Sequence, residues 1–311
     1  MWTVDCGLRT ARRCKIPARL FLTRLYIGMN CRHSGLRTAD CGLRTLSAVF
    51  ILALSISLGS CTAYRPLQPA PSQPVELPSA QQLLANFDAR RQALASLRGL
   101  ARVVYADTQD KGTAKQAVAV STPDRFLLEL FSPIGIASLS ACDGHVLAAY
   151  FPQEKTIYRG AATPLNVARF TRVMLSPREI AGVLLGLPVL PRYKEARAVS
   201  LDADRGWYRL VLILPEGGAQ VWWFDQRTLL LTRWEVLGDN DLVVARMNLA
   251  DYRAVNGQYF PFEIVLANTH SQQQVSIYYE RVELNPHLPD TLFTLAPLNG
   301  AQEIDIDAMN P

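Results

Sequence analysis

Cysteine and histidine are the side chains through which a chain most readily bonds metals, substrates or lipid, and this sequence carries six cysteines and four histidines. His33 precedes the first long apolar run. His145, His270 and His287 are scattered, without the offsets a zinc site needs. No Gly-x-Ser-x-Gly elbow, phosphate-binding loop or dinucleotide fingerprint occurs. The sequence therefore points to no enzyme, no cofactor and no metal. Asp305 and Asp307 alternate near the C-terminus and read as solvated, and Asp143-Gly144 reads as a hairpin turn. One cysteine has a neighbourhood that singles it out. Cys61 closes an apolar run, Leu46 to Leu58, through Gly59-Ser60, and a polar, proline-rich stretch follows at once.

That run has about the length of a signal-peptide core and is too short to span a bilayer with margin. Arg32, Arg37 and Arg44 precede it without a matching set of acids. Leu58-Gly59-Ser60-Cys61 resembles the lipobox of bacterial lipoproteins. In that family the signal is cut before the cysteine and the thiol carries a diacylglyceryl group. The resemblance implies that residues 1–60 are removed and that Cys61 is a lipid anchor, effectively permanent with three acyl chains. Thr62 follows the cysteine. In such lipoproteins an aspartate there retains the protein at the inner membrane, so the resemblance implies the periplasmic face of the outer membrane. Asp5–Thr10 recurs as Asp40–Thr45, and in part as Gly35–Thr38, with no regular period. This fits an upstream start codon with Met29 as the true start; the alternative is a basic extension.

The formal charge of +5 divides unevenly. Residues 1–60 hold nine basic and two acidic side chains, which leaves 23 basic and 25 acidic side chains in 61–311, a net of −2. A near-neutral mature chain gives no basis for nucleic-acid binding. With Cys61 acylated and the leader removed, only Cys142 remains, so no disulfide can form within the chain, and it reads as a small buried hydrophobe.

Residues 61–78 form a tether, with Pro66, Pro69, Pro71, Pro74 and Pro78 making it extended and semi-rigid. A domain over 79–311 follows. Ser79 and Gln82 fit a capping box opening an amphipathic helix with Leu83, Phe87, Leu94 and Leu97 on one side and Gly99 as its stop. The period then becomes two. Strands are expected at 100–106, 115–121, 125–131, 136–142, 145–151 and 156–159. Thr163-Pro164 and Ser176-Pro177-Arg178-Glu179 start two short helices, the second carrying Ile180, Val183 and Leu184 and ending at Gly186. Strands resume at 207–214, 219–225, 228–237, 242–252, 259–267 and 273–283, joined by Gly217-Gly218, Asp225-Gln226, Gly238-Asp239-Asn240 and Asn256-Gly257.

This order resembles the outer-membrane lipoprotein receptor LolB and the wider LolA-like carrier superfamily. Leu97-Arg98-Gly99-Leu100-Ala101-Arg102-Val103, Thr122-Pro123-Asp124-Arg125-Phe126-Leu127-Leu128-Glu129-Leu130 with Ser132-Pro133-Ile134-Gly135, and Leu184-Leu185-Gly186-Leu187-Pro188 carry the likeness. The resemblance implies an α+β, mostly β fold: an open antiparallel half-barrel of about eleven strands wrapped around amphipathic helices. It implies an apolar cavity for the acyl chains of lipoproteins, an acylated lipoprotein cargo, a periplasmic carrier as a possible partner, contact with outer-membrane lipid, and a monomer. By position, Ile134, Gly135 and Ile136 match the family's membrane-inserting loop. Candidates for the cavity lining are Leu83, Phe87 and Leu94 on the first helix, Val183 and Leu184 on the later one, and Leu128, Leu130, Val211, Ile213, Val221, Trp223, Ile264, Leu266, Val275 and Ile277 on the sheet. The strand faces are a choice between two phases, because a one-residue slip inverts them. The competing expectations are an envelope protein of the same fold that binds a protein partner, and a binder of small hydrophobic ligands.

Overall fold

The computed structural model describes residues 77–238 and 240–309. The expected signal, Cys61 and the tether through residue 76 lie outside the described residues. The chain opens with helix α1 (Ala80–Ala93), capped as its sequence predicts: Ser79 Oγ accepts from the Gln82 amide, and Gln82 Oε1 accepts from the Ser79 amide. Six strands follow: β1 (Ser96–Ala106), β2 (Lys111–Ser121), β3 (Arg125–Ser132), β4 (Gly135–Cys142), β5 (Val146–Phe151) and β6 (Thr156–Ala161). Two helices, α2 (Pro164–Thr171) and α3 (Pro177–Leu184), interrupt the strands. Each begins with proline after a Thr163 or Ser176 cap, where the missing amide hydrogen costs nothing. The remaining strands are β7 (Glu195–Ala196), β8 (Ser200–Asp202), β9 (Trp207–Ile213), β10 (Ala219–Asp225), β11 (Leu231–Leu237), β12 (Val243–Val255), β13 (Gln258–Asn268), β14 (Gln273–Leu284) and β15 (Gln302–Asp305).

These strands form one sheet in the order β15-β6-β5-β4-β3-β2-β1-β14-β13-β12-β11-β10-β9-β7, with β8 beside β9. Every pairing is antiparallel except β15 with β6. The two ends of the sheet do not meet, so the barrel is open. The observed fold is the mostly β, open half-barrel around helices that the sequence predicts. Twelve of the fifteen described strands answer to the twelve segments expected from the sequence; β7, β8 and β15 are added, being too short to show a period of their own.

The main core lies between helices and sheet. Leu83 and Phe87 from α1 pack on it, and the Phe87 ring meets Trp222 edge-on with centroids 4.7 Å apart. Gln220 Oε1 accepts from both Trp222 Nε1 and Trp234 Nε1, at 3.1 and 2.9 Å, so a fully buried indole and a half-buried one share one acceptor. The Tyr279 hydroxyl donates to the Leu184 carbonyl at 2.9 Å and ties α3 to β14; burial holds that phenol far above its ordinary pKa.

Three sequence expectations are corrected. Helix α1 ends at Ala93, with Leu94 at its C-cap and Leu97 already in β1. Gly99 therefore stops nothing. It sits inside β1, where an added Cβ would lie 3.1 Å from both the Arg281 carbonyl and the Tyr279 ring. Asp307 is not simply solvated: it accepts from Asn166 Nδ2 and the Ala161 amide, at 2.7 and 2.8 Å. Val211, Ile213, Val221 and Trp223 do not face the helices. Leu210, Leu212, Trp222 and Phe224 do, and the expected residues form a separate small cluster on the other face. Both phases of β9 and β10 are apolar, and Phe87 meeting Trp222 decides between them.

Candidate functional site

Six turns, 107–110, 133–134, 152–155, 214–218, 238–242 and 269–272, lie along one edge of the sheet. The register requires it: Ala106 pairs with Lys111 and Gln274, Phe131 with Lys115, Leu237 with Val243, and Asn268 with Ala245. Just inside this edge is a cavity of about 330 Å³ between sheet and helices. Leu128 and Leu130 from β3, Leu266 from β13, and Val275 and Ile277 from β14 line its sheet side. Phe170, Val173, Leu175, Ile180, Val183 and Leu184 line its helical side. Tyr105, Asp110, Thr113, Gln116, Ser138, Ser140 and Arg172 supply the polar part.

The α2–α3 connection covers the cavity, and local sequence holds it. Arg172 closes α2 in the left-handed region, at φ 59°. Its guanidinium pairs with Asp110 at 3.0 Å and lies over the Tyr105 ring, 4.7 Å from the centroid. The hydrogen bond to Asp110 keeps the guanidinium above its ordinary pKa. The Tyr105 hydroxyl donates to Asp107, which raises the phenol and lowers the carboxyl. This charged strap joins the helical side to the β1–β2 turn. The far end of α3 is closed by a Schellman motif: the Leu187 amide donates to Gly182 and the Gly186 amide to Val183, at 2.8 and 2.9 Å. Gly186 has φ +66° and lies against Pro261, where a Cβ would fall 2.4 Å from that ring, so only glycine fits.

Of the sequence candidates, the structure gathers Leu128, Leu130, Val183, Leu184, Leu266, Val275 and Ile277 around the cavity. Leu83, Phe87, Leu94 and Ile264 are at most 2 % exposed and fill the main core beside it. Val211, Ile213, Val221 and Trp223 lie on the outer face. Sequence reasoning missed Val103, Tyr105, Phe170, Val173 and Leu175 as lining residues. Val103 and Tyr105 are two apart, as one strand face requires, but the loop residues carry no periodic signal. Ile134 is 83 % exposed at the tip of the β3–β4 hairpin and Ile136 is 40 % exposed. Gly135 beside them has φ +127°, and the Ser132 hydroxyl donates to its carbonyl at 3.0 Å.

No curated protein matches the chain. A family model described as an uncharacterized protein matches residues 218–299. Among solved structures, a DUF1329 family protein from Desulfovibrio piger is similar at TM-score 0.50 and 16% identity, over 68% of this chain and 95% of that one. A LolA superfamily protein from Nitrosomonas europaea is similar at 0.49 and 16%, over 70% and 99%. A domain described as outer membrane lipoprotein-sorting, from Vibrio parahaemolyticus, is similar at 0.49 and 12%, over 68% and 94%. At these identities the likeness concerns the fold.

Proposed function

We propose that this protein is an envelope lipoprotein, anchored through Cys61 to the periplasmic face of the outer membrane, that shelters acyl chains and acts in lipoprotein localisation, as LolB-like receptors do. The observation that carries this reading is the apolar cavity of about 330 Å³ under a helical cover. Transfer of an acylated protein makes and breaks no bond. It needs a hollow that competes with lipid for hydrocarbon, and each sheltered methylene contributes about 0.8 kcal/mol. Dry cavities of roughly 150 Å³ take up benzene, about 25 Å³ per carbon. On that scale the space of about 330 Å³ holds roughly a dozen carbons. One chain of that length fits as the cavity stands; a triacylated cargo needs the α2–α3 cover to move outward. The volume thus also favours a second reading, a carrier of single-chain lipids.

Mixing purified protein with an acylated lipoprotein separates the two. A soluble, detergent-free complex is expected, with cargo and protein at equal stoichiometry in native mass spectra. Failure with several acylated cargoes, alongside stoichiometric uptake of a free fatty acid, would leave the single-chain reading standing.

A further inference from the structure

The β3–β4 tip is not the sole greasy projection along the mouth edge. Leu242, in the β11–β12 turn, is 68 % exposed, and Val244 beside it is 37 % exposed. Met174, in the cover just past the strap, is 61 % exposed. The β11–β12 turn is braced rather than loose. The Gly238 amide donates to the Leu242 carbonyl at 2.9 Å, the Thr269 amide to the Val244 carbonyl at 3.1 Å, and the Thr269 hydroxyl to the Val243 carbonyl. The neighbouring β13–β14 turn therefore fixes the backbone beside Leu242, whose side chain stands largely exposed.

In sheet order, six strand spacings separate the β3–β4 and β11–β12 turns, an arc of roughly 30 Å. The cavity opens along that arc, between strands contributed by β1–β4 and by β13–β14. The turns of this edge hold Lys155 against Asp107, Asp110, Glu154, Glu216 and Asp241, with Lys111 and Arg172 beside them, so no basic surplus draws the rim toward an acidic partner. What they present is hydrocarbon on either side of a hydrocarbon-lined mouth.

We propose that the mouth edge meets a lipid bilayer at two points, Ile134 and Leu242, which straddle the cavity so that it opens onto the membrane surface. This rests on the acyl-sheltering reading above and adds to it a second contact and an orientation. Chain length permits that orientation. The described chain enters at the opposite edge, where Leu77 shares a groove with Gln226, Arg227 and Leu229 of the β10–β11 turn. Residues 61–76 number sixteen, a reach of about 50 Å when extended. The 11 residues of β1 span about 36 Å. An anchor at Cys61 can therefore sit in the same bilayer that the mouth edge touches.

The test uses the mature chain with Cys61 intact, reconstituted into vesicles of neutral phosphatidylcholine. Ile134→Cys, Leu242→Cys and Arg227→Cys each carry an environment-sensitive fluorophore, and Val244→Cys replaces Leu242→Cys should the latter not fold. Labels at 134 and 242 are expected to shift to the blue together and to be quenched by lipid-borne nitroxide, with no change at 227. High salt should leave both responses intact. A silent label at 242 beside a responding one at 134 overturns the two-point contact and leaves acyl binding untouched. A response at 227 equal to that at 242 overturns the orientation. Acyl uptake by the same labelled proteins, measured with a fatty acid, reports separately on the reading beneath.

Discussion

Val183 and Leu83 are both aliphatic, both helical and both turned toward the sheet, yet only one borders empty space. Leu83 is fully buried in the continuous core. Truncating it to alanine is expected to lower stability by about 2–5 kcal/mol, read as a fall in denaturant midpoint. Val183 lines the cavity. Val183→Phe adds bulk there, so it should leave the midpoint within about 1 kcal/mol while reducing acyl uptake several-fold, since filling a void costs little compared with opening one. Equal loss of uptake in folded Leu83→Ala would show that the core and the cavity are not separate. Cys142 illustrates a different consequence of burial. Its thiol is fully enclosed and pushed up to about 11 from 9.0. The unfolded chain ionises this group first, so stability is retained below pH 9 and lost as pH rises toward 11, by no more than about 3 kcal/mol. Cys142→Ala should flatten that alkaline slope, and the native thiol should resist a disulfide reagent at pH 8 until denaturant is added.

At the scale of elements, the sheet's edge is secured by a strand with almost no sequence signature. β15 pairs in parallel with β6, and the residues after it do the fastening. Ile306 is 1 % exposed above Gly160, where an added Cβ would sit 2.5 Å away. Asp307 bonds the Asn166 amide and the Ala161 backbone, while Arg159 pairs with Glu303 at 2.8 Å. Asn166 is fully buried and its Oδ1 has no partner among the described residues. Asp307→Ala would leave that side chain still less satisfied, at a cost of about 1–3 kcal/mol. A lowered melting temperature is expected, whereas Gln302→Ala, on an exposed β15 residue, should change it little. Equal effects would mean that the β15 pairing rather than the Asn166 contact secures the edge. The strap of Arg172, Asp110 and Tyr105 holds the opposite side of the same helical layer.

At the scale of the molecule, tether length and barrel height are coupled quantities. Deleting residues 69–76 would halve the sixteen-residue reach to about 25 Å, less than the roughly 36 Å spanned by β1. Such a protein should remain membrane-bound in fractionation yet lose the fluorescence response at position 242; retention of that response would mean that the mouth edge does not face the anchoring bilayer. Much of this architecture is legible from local chemistry. Ser79-Gln82 and Ser176-Glu179 cap the helices they announce, and alternating strands punctuated by Gly217-Gly218 and Asn256-Gly257 delimit the meander, because caps and turns depend on residues only a few positions apart. The lipid anchor at Cys61 is likewise a reading of the sequence alone. Which face of β9 and β10 turns inward, where the core stops and the cavity begins, and which turns share an edge were decided by tertiary structure. WYRLVLI and AQVWWFD are apolar in both phases, and only contact with α1, more than a hundred residues earlier, breaks the tie. A cavity is the place where packing is incomplete, a property of the closed assembly of strands and helices that no single segment of chain encodes.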